Sequence, residues 1–181
     1  MLREFFISAI IVFSLQSSHA QFDTVFAKTN IRICADSMTT GFKTKNWDLY
    51  TRYVYPAMIG SMGGKAEMIK FLDNNFASVP ATAWKEYKPG KILQVIKTAG
   101  DLQAVLELRS ILEWQGQRII TTTHMIGESW DGGLFWTFFD SEGDVNTAKM
   151  IKPDLSDQLV IPAKTEKAEP LSSPAQKTKN N

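Results

Sequence analysis

The stretch from residue 91 to residue 140 limits the fold more than any other part of the chain. It contains four segments rich in apolar and β-branched residues, separated by three short turn signals, as in an antiparallel meander. An apolar sheet face of this kind needs a covering layer of helices. The predicted strands are residues 91–98, 101–114, 117–128 and 134–140, with residues 84–87 as a further short strand before the turn at Pro89-Gly90.

Two of the turns are short enough to fix the strand register by counting. The two-residue loops Ala99-Gly100 and Gln115-Gly116 both have glycine at the second position, which suits the left-handed backbone of tight hairpins. Residues at equal distances from each loop then face each other. The predicted pairs are Val95 with Ala104, Leu93 with Leu106, Trp114 with Gln117, Leu112 with Ile119, Ser110 with Thr121, Leu108 with Thr123, and Leu106 with Met125.

This register collects the apolar residues of the sheet on a single face. On the other face it sets Glu113 opposite Arg118, and such opposed charges stabilise a strand pair by about 0.2–1 kcal/mol. A slip of one residue would mix the two faces. The predicted inner, helix-covered face consists of Leu93, Val95, Leu102, Ala104, Leu106, Leu108, Leu112, Ile119 and Met125, and the outer face carries Glu107, Arg109, Glu113 and His124.

The outer face also has an apolar group. Ile111 pairs with Ile120, and Val105 and Ile126 lie near them in the predicted sheet. Such a mixture fits the interface of a homodimer formed through the open face, and it fits equally a monomer that exposes a few aliphatic side chains. Both interpretations stay open at this point.

Three helices are predicted before the sheet. They span residues 21–42, 47–54 and 65–77, with Asn46 as the N-cap of the second and Gly63-Gly64 before the third. The second helix presents Trp47, Tyr50 and Tyr53. These aromatic residues either fill the core or line a pocket, where the polar ends of their rings need partners.

The turn before the last predicted strand matches a known short motif. Ser129, Asp131, Gly133 and Trp136 fit the Ser-x-Asp-x-Gly-x-x-Trp pattern called an Asp-box, which forms turns in sialidase-type propellers. A propeller needs more blades than this chain can supply. The motif therefore predicts a tight hairpin and not a glycosidase.

The N-terminal residues 1–20 have the features of a signal peptide. Arg3 precedes the apolar run 5–15, and Ser18-His19-Ala20 provides small residues before a cleavage point at Gln21. A membrane anchor is the alternative, but the run falls short of the roughly 20 apolar residues that a span needs. We therefore expect an exported protein, periplasmic or secreted, with no membrane span after cleavage. Residues 21–162 are predicted to be one domain, and residues 163–181 a polar, disordered tail.

Composition excludes several kinds of chemistry. The net charge of +1 argues against nucleic acid as a partner, since that demands a basic excess. Two histidines and one cysteine do not make a typical metal site, and no glycine-rich phosphate loop occurs. The sequence therefore predicts no metal and no cofactor, and Cys34 is interpreted as a buried, inert thiol.

The order of elements resembles the nuclear transport factor 2-like (cystatin-like) superfamily, including small exported bacterial members of uncharacterised function. The resemblance covers residues 22–162. It implies an α+β cone in which three N-terminal helices pack on a curved antiparallel sheet of four or five strands, around a pocket. The residues that carry it are Tyr55-Pro56, Gly63-Gly64-Lys65, Asp131-Gly132-Gly133 with Trp136, Phe139-Asp140, and the segment 153–162.

Some enzymes of that superfamily, ketosteroid isomerase among them, place acids, Tyr or His inside the cone. Here the predicted register turns the acids and the histidine of the central strands outward, and none of those enzymes' motifs can be matched. We therefore expect non-catalytic binding of a small apolar ligand or a protein partner. The alternative is a small cofactor-independent lyase, isomerase or hydrolase that uses Asp140 with a tyrosine. The predicted ligand-binding residues are Trp47, Tyr50, Tyr53, Ser110, Thr121 and Thr123.

Overall fold

The computed structural model describes residues 23–171, so the predicted signal peptide and the last ten residues of the chain lie outside the described part. The fold is α+β: N-terminal helices pack on a five-stranded antiparallel sheet, as predicted. No helix within these residues is long and apolar enough to cross a membrane. The helices are α1 Thr24–Lys43, α2 Trp47–Arg52, α3 Pro56–Ser61, α4 Lys65–Phe76 and α5 Val145–Ile151; the strands are β1 Trp84–Lys97, β2 Leu102–Trp114, β3 Gln117–Ser129, β4 Thr137–Asp140 and β5 Thr165–Pro170.

The register predicted between β2 and β3 is confirmed over its whole length. Gln115 and Gly116 form the two-residue loop with positive φ angles of 50° and 76°, as a tight hairpin requires. The inner face of the two strands contributes to the main core, while Glu107 and Glu113 lie on the outer face. The pairs observed include Trp114 with Gln117, Leu112 with Ile119, Ser110 with Thr121, Leu108 with Thr123, Leu106 with Met125, and Glu107 with His124.

The first strand departs from the prediction. Val95 pairs with Ala104 as expected, but Ile92, not Leu93, lies opposite Leu106 because the register shifts between Ile92 and Gln94. Leu93 is therefore 39% exposed and does not belong to the inner face. Pro89-Gly90 does not end the strand either, since β1 runs through it with a second irregularity. The guanidinium of Arg32 on α1 donates to the carbonyls of Pro89 and Gly90, and so holds this irregular part of the strand.

The Asp-box residues form the predicted turn between β3 and β4. One oxygen of Asp131 accepts hydrogen bonds from the amides of Leu134 and Phe135 at 3.1 and 3.0 Å. Trp136 is fully buried beneath the turn, and its indole donates to the carbonyl of Gly133. The last predicted strand begins later than expected, at Thr137, because the turn occupies the residues before it.

The predicted disordered tail is partly ordered. Thr165–Pro170 form β5, which pairs with β3 along Gln117–Thr122, and β4 pairs with β3 only along Met125–Glu128. Because β4 is short, it does not reach the first half of β3, and the free backbone edge there is available to a further strand, β5. Composition alone does not reveal such a partner, because the backbone supplies the hydrogen bonds.

The segment between β4 and β5 covers part of the outer face of the sheet. Val105 and Ile126, which belong to the group that the sequence analysis considered as a possible homodimer interface, are both fully buried in a second core cluster with Phe139, Ala148, Leu155 and Leu159. These two side chains therefore face their own chain and are not available to a second copy. Ile111 and Ile120 remain partly exposed.

The helices follow the sequence pattern with small differences. Asp23 caps α1 through the amides of Val25 and Phe26, and Asn46 caps α2 as predicted. The second helix ends at Arg52, and Pro56 begins an additional short helix, α3, that the sequence analysis missed. Proline is favoured at the first helical position because its missing N–H would have no partner there. Cys34 is buried in α1, as expected.

Candidate functional site

A cavity of about 220 Å³ lies between the helices and the inner face of the sheet. Its lining is largely apolar and comes from elements α1 to α4 and β1 to β4, so it forms only when the helical layer and the sheet are assembled. The residues that line it are Met38, Tyr50, Val54, Met58, Met62, Met68, Phe71, Leu72, Tyr87, Leu108, Met125, Phe138, Phe139 and Asp140.

Methionine dominates the apolar wall. Five of the six methionines in the described residues line the cavity, and the exception is Met150 on α5. Methionine is unbranched and polarizable, so it fills irregular space and adapts to ligands of different shape. The wall of the cavity is therefore apolar and adaptable in shape.

Three polar side chains reach the same cavity: Tyr50 from α2, Tyr87 from β1 and Asp140 at the end of β4. Oδ1 of Asp140 accepts hydrogen bonds from the Thr123 hydroxyl at 2.9 Å and from the Glu142 amide at 2.7 Å. No donor among residues 23–171 reaches Oδ2 of Asp140, and within the same residues the phenol hydroxyls of Tyr50 and Tyr87 have no hydrogen-bond partner. The carboxylate thus holds a turn with one oxygen and keeps the other available.

Burial changes the acid–base properties of all three groups. Desolvation raises the pKa of Asp140 above its ordinary value, although the bonds from Glu142 and Thr123 work the other way. Burial, with the nearby Asp140 charge, raises the pKa of Tyr50 to about 12. Burial raises the pKa of Tyr87 well above its ordinary value as well. Both phenols are therefore protonated donors at neutral pH, facing a carboxylate that ionises less readily than usual.

Replacing Asp140 by Asn should change how stability depends on pH. A folded-state pKa above the unfolded value means that ionisation disfavours the folded state as the pH rises from about 4, the unfolded value, through the folded-state pKa. Asn retains an acceptor for Thr123 and Glu142 but carries no charge. We expect the free energy of unfolding of Asp140→Asn to rise relative to wild type over this pH range, as measured by urea denaturation.

Asp36→Asn is the matched control, since Asp36 is an exposed residue on α1. It should leave the pH dependence of the wild type in place. If the difference in the free energy of unfolding between Asp140→Asn and wild type is the same at both ends of the pH range, the burial of an ionising Asp140 is contradicted.

The residues predicted to bind a ligand are not all at the cavity. Tyr50 lines it, and Thr123 lies behind it, holding Asp140. Trp47 is buried in the core, where its indole donates to Asp73 at 2.5 Å, and the ring of Tyr53 stacks on Phe135. These two aromatic residues do not line the cavity.

The remaining two predicted residues lie on the inner face of the sheet but beyond the cavity. Ser110 and Thr121 form a cross-strand pair, and both are partly exposed. The Thr121 hydroxyl points toward Glu166 of β5 at 3.5 Å. The register was correct, but it could not show where along the sheet the helices leave open space.

Tyr87 and the five methionines were not among the predicted ligand-binding residues, and the sequence did not assign the facing of Asp140. Tyr87 was placed on a short separate strand, and the methionines are dispersed over three helices and one strand. Asp140 ends β4, opposite Met125, whose side chain was predicted to face inward. Extending the predicted register by that one pair would have assigned Asp140 to the inner face.

A second polar cluster lies apart from the cavity, around the fully buried Lys152. Its ammonium forms ion pairs with Asp101 at 2.8 Å, Asp154 at 3.0 Å and Glu128. Asp101 and Glu128 are also buried. The nitrogen lies 5.4 Å from the centre of the Trp130 ring and 5.9 Å from that of Tyr55.

The charges of this cluster depend on one another. Burial alone would lower the pKa of Lys152, but hydrogen bonds to Asp101, Glu128 and Asp154 outweigh it and raise the pKa. Burial raises the pKa of Glu128, whereas for Asp101 the bonds from Lys152, Thr98 and Gln103 outweigh burial and lower it. The three carboxylates have oxygen atoms within 4.8 Å of one another, and the Lys152 ammonium provides the positive charge between them. The cluster attaches the segment after α5 to the sheet and offers no vacant metal position.

Comparisons of the chain with protein-family models, with curated proteins and with solved structures found no match.

Proposed function

We propose that this domain binds a small, largely apolar molecule that carries one polar group, in the cavity beside Asp140. The observation that carries this proposal is the combination of an apolar cavity with free hydrogen-bonding atoms on Tyr50, Tyr87 and Asp140. Ligand pockets are typically apolar with a few convergent polar groups that fix the orientation of the ligand. A cavity that is only a packing defect would not be expected to have the polar ends of three side chains in its wall.

The size of the cavity restricts the ligand. An engineered apolar cavity of about 150 Å³ binds benzene. The present cavity, at about 220 Å³, has room for one aromatic ring or a short branched chain with a small polar substituent. Benzyl alcohol is therefore a suitable probe, and toluene is its counterpart without the polar group.

Calorimetric titration tests the proposal. We expect benzyl alcohol to bind more tightly than toluene, because its hydroxyl can donate to Oδ2 of Asp140 and accept from a phenol. Tyr50→Phe should weaken the binding of benzyl alcohol about fivefold, which corresponds to the loss of one net hydrogen bond. The affinity for toluene should not change.

Tyr53→Phe is the matched control, because Tyr53 belongs to the same helical region but does not line the cavity. It should leave both affinities as they are. Failure of both probes to bind at millimolar concentration would overturn the proposed function.

A second function is favoured by the state of Asp140. A partly desolvated carboxylate with one free oxygen, near a protonated phenol, is a suitable pair for proton transfer. In a small lyase, isomerase or hydrolase, Asp140 would take a proton from carbon or water while Tyr50 donates to a carbonyl oxygen. Deuterium exchange at the methyl group of acetophenone in D₂O tests this second function. The exchange rate with the wild-type protein should exceed the rate in buffer alone, and the rate with Asp140→Asn should equal the rate in buffer. If deuterium exchange with the wild-type protein is no faster than in buffer alone, the proton-transfer function is excluded.

The fold and location are part of the proposal. We propose that the chain is a member of the nuclear transport factor 2-like superfamily, with the sheet curved into a cone, and the order of helices before an antiparallel sheet supports this assignment. We also propose that it is exported, on the basis of the signal-peptide pattern in residues 1–20. Mass spectrometry of the secreted or periplasmic protein should find Gln21 at the N-terminus, and a retained Met1 would contradict export by this signal.

A further inference from the structure

In the part of the chain that the structure describes, Asp140 is the only charged residue on the wall of the cavity. Within residues 23–171, no lysine, arginine or histidine lines the cavity, and four aromatic rings do. Those rings belong to Tyr50, Phe71, Tyr87 and Phe138, whereas the ring of Phe139 packs in the second core cluster on the other face of the sheet. Among the described residues Asp140 forms no ion pair, and the cavity wall beside it is made largely of aromatic and methionine side chains.

We propose that the ligand of this cavity is a small organic cation, an ammonium group attached to an aromatic or branched apolar body. An ammonium group within about 6 Å of an aromatic ring face is attracted by the ring quadrupole, and the attraction grows when the pair is desolvated. The polarizable sulfur atoms of methionine suit the same ligand. The proposal rests on the proposed binding function and adds the charge of the ligand to it.

The hydrogen bonds of Asp140 agree with this assignment. Oδ1 is fixed by Thr123 and by the Glu142 amide, so the carboxylate cannot turn away from the cavity without losing both bonds. Oδ2 accepts nothing from the described residues and is available to an N–H of the ligand. A charge-assisted bond of this kind is about twice as strong as a neutral one.

The electrostatics of the cavity also favour a cationic ligand. Burial raises the pKa of Asp140, so the cavity disfavours the negative charge that it contains. A bound cation would relieve that penalty, a neutral ligand would not, and an anion would increase it. The selectivity therefore has a physical source that does not depend on the shape of the ligand.

The charge can be tested with two probes of nearly equal size, benzylammonium and benzyl alcohol, titrated into the purified chain at about pH 7.5, where the amine is protonated. We expect benzylammonium to bind about tenfold more tightly than benzyl alcohol, from the cation–π attraction and the charge-assisted bond. Asp140→Asn should bring the two affinities to within about twofold. Asp36→Asn, at an exposed position on α1, should preserve the preference.

A pH series on wild type gives a second test that needs no variant. The groups around Asp140 are the Thr123 hydroxyl, the phenols of Tyr50 and Tyr87, and the more distant charges of Glu142 and Lys164. Protonation of Asp140 removes the negative charge, so benzylammonium affinity should fall as the pH is lowered through the pKa of Asp140. Benzyl alcohol should show no such fall.

The outcomes distinguish the binding function from the charge of the ligand. If benzyl alcohol binds as tightly as benzylammonium or more tightly, the cation proposal is overturned and the binding function stands. If neither binds, both fail. A preference for benzylammonium that survives Asp140→Asn and is independent of pH would also overturn the assignment, because it would place the recognition elsewhere.

Discussion

Replacing Lys152 by Met is expected to lower the free energy of unfolding by about 3–5 kcal/mol, the usual result of removing one partner of a buried ion pair. The substitution keeps most of the length of the side chain but leaves Asp101 and Glu128 buried without their counter-ion. Since folded domains are stable by only about 5–15 kcal/mol, the variant should lose a large part of its stability. Urea denaturation at neutral pH measures the change.

Lys149→Met, three residues earlier on α5, is the matched control. Lys149 forms a surface ion pair with Asp157, whose side chain is 86% exposed, so its loss should cost at most about 1 kcal/mol. Combining Lys152→Met with Glu128→Gln should recover part of the lost stability, because it removes one of the uncompensated charges. Equal effects of the two lysine substitutions would contradict the buried cluster.

Replacing Phe138 by Ala is the second substitution with a large expected effect. Phe138 is fully buried, and truncation of a buried Phe to Ala costs about 3–5 kcal/mol. Its ring packs against Gly127, where a Cβ would come within 3.0 Å of it. Its backbone also pairs with Tyr53 and Tyr55, and so joins the end of α2 to β4. The side chain lines the cavity, so the variant should enlarge it.

The enlarged cavity offers a check that ordinary destabilisation does not. Benzene should bind to Phe138→Ala and restore part of the lost thermal stability, since a ligand that binds only the folded state stabilises it. Phe135→Ala is the control: Phe135 is 39% exposed and does not line the cavity, so its replacement should cost less and benzene should restore nothing. A cost for Phe138→Ala no larger than that for Phe135→Ala would contradict its place in the core.

The sequence was most informative where geometry is local. The Gln115-Gly116 loop has two residues, and the pairing of β2 with β3 follows from that length, so the whole register and the division of charges between the faces could be predicted. The same reasoning failed in β1 at Leu93, because a bulge adds a residue that counting cannot detect.

Long-range features could not be read from the chain. The pairing of β5 with β3 joins segments far apart through backbone hydrogen bonds, and the polar composition of residues 165–170 gives no sign of it. Lys152 looks like any surface lysine in the sequence until the fold buries it beside Asp101 and Glu128. The cavity could not be predicted either, because Tyr87 and the five methionines come together only when the helices pack on the sheet.

Ligand binding in the cavity beside Asp140 can be observed by methionine methyl NMR. Protein labelled with methyl-¹³C methionine would be titrated with benzyl alcohol, with signals assigned by single Met→Leu variants. We expect saturable shifts of the signals from the methionines of the cavity wall, namely Met38, Met58, Met62, Met68 and Met125, while Met150, which is 82% exposed on α5, keeps its position. Unchanged signals from the wall, or a response confined to Met150, would contradict the account.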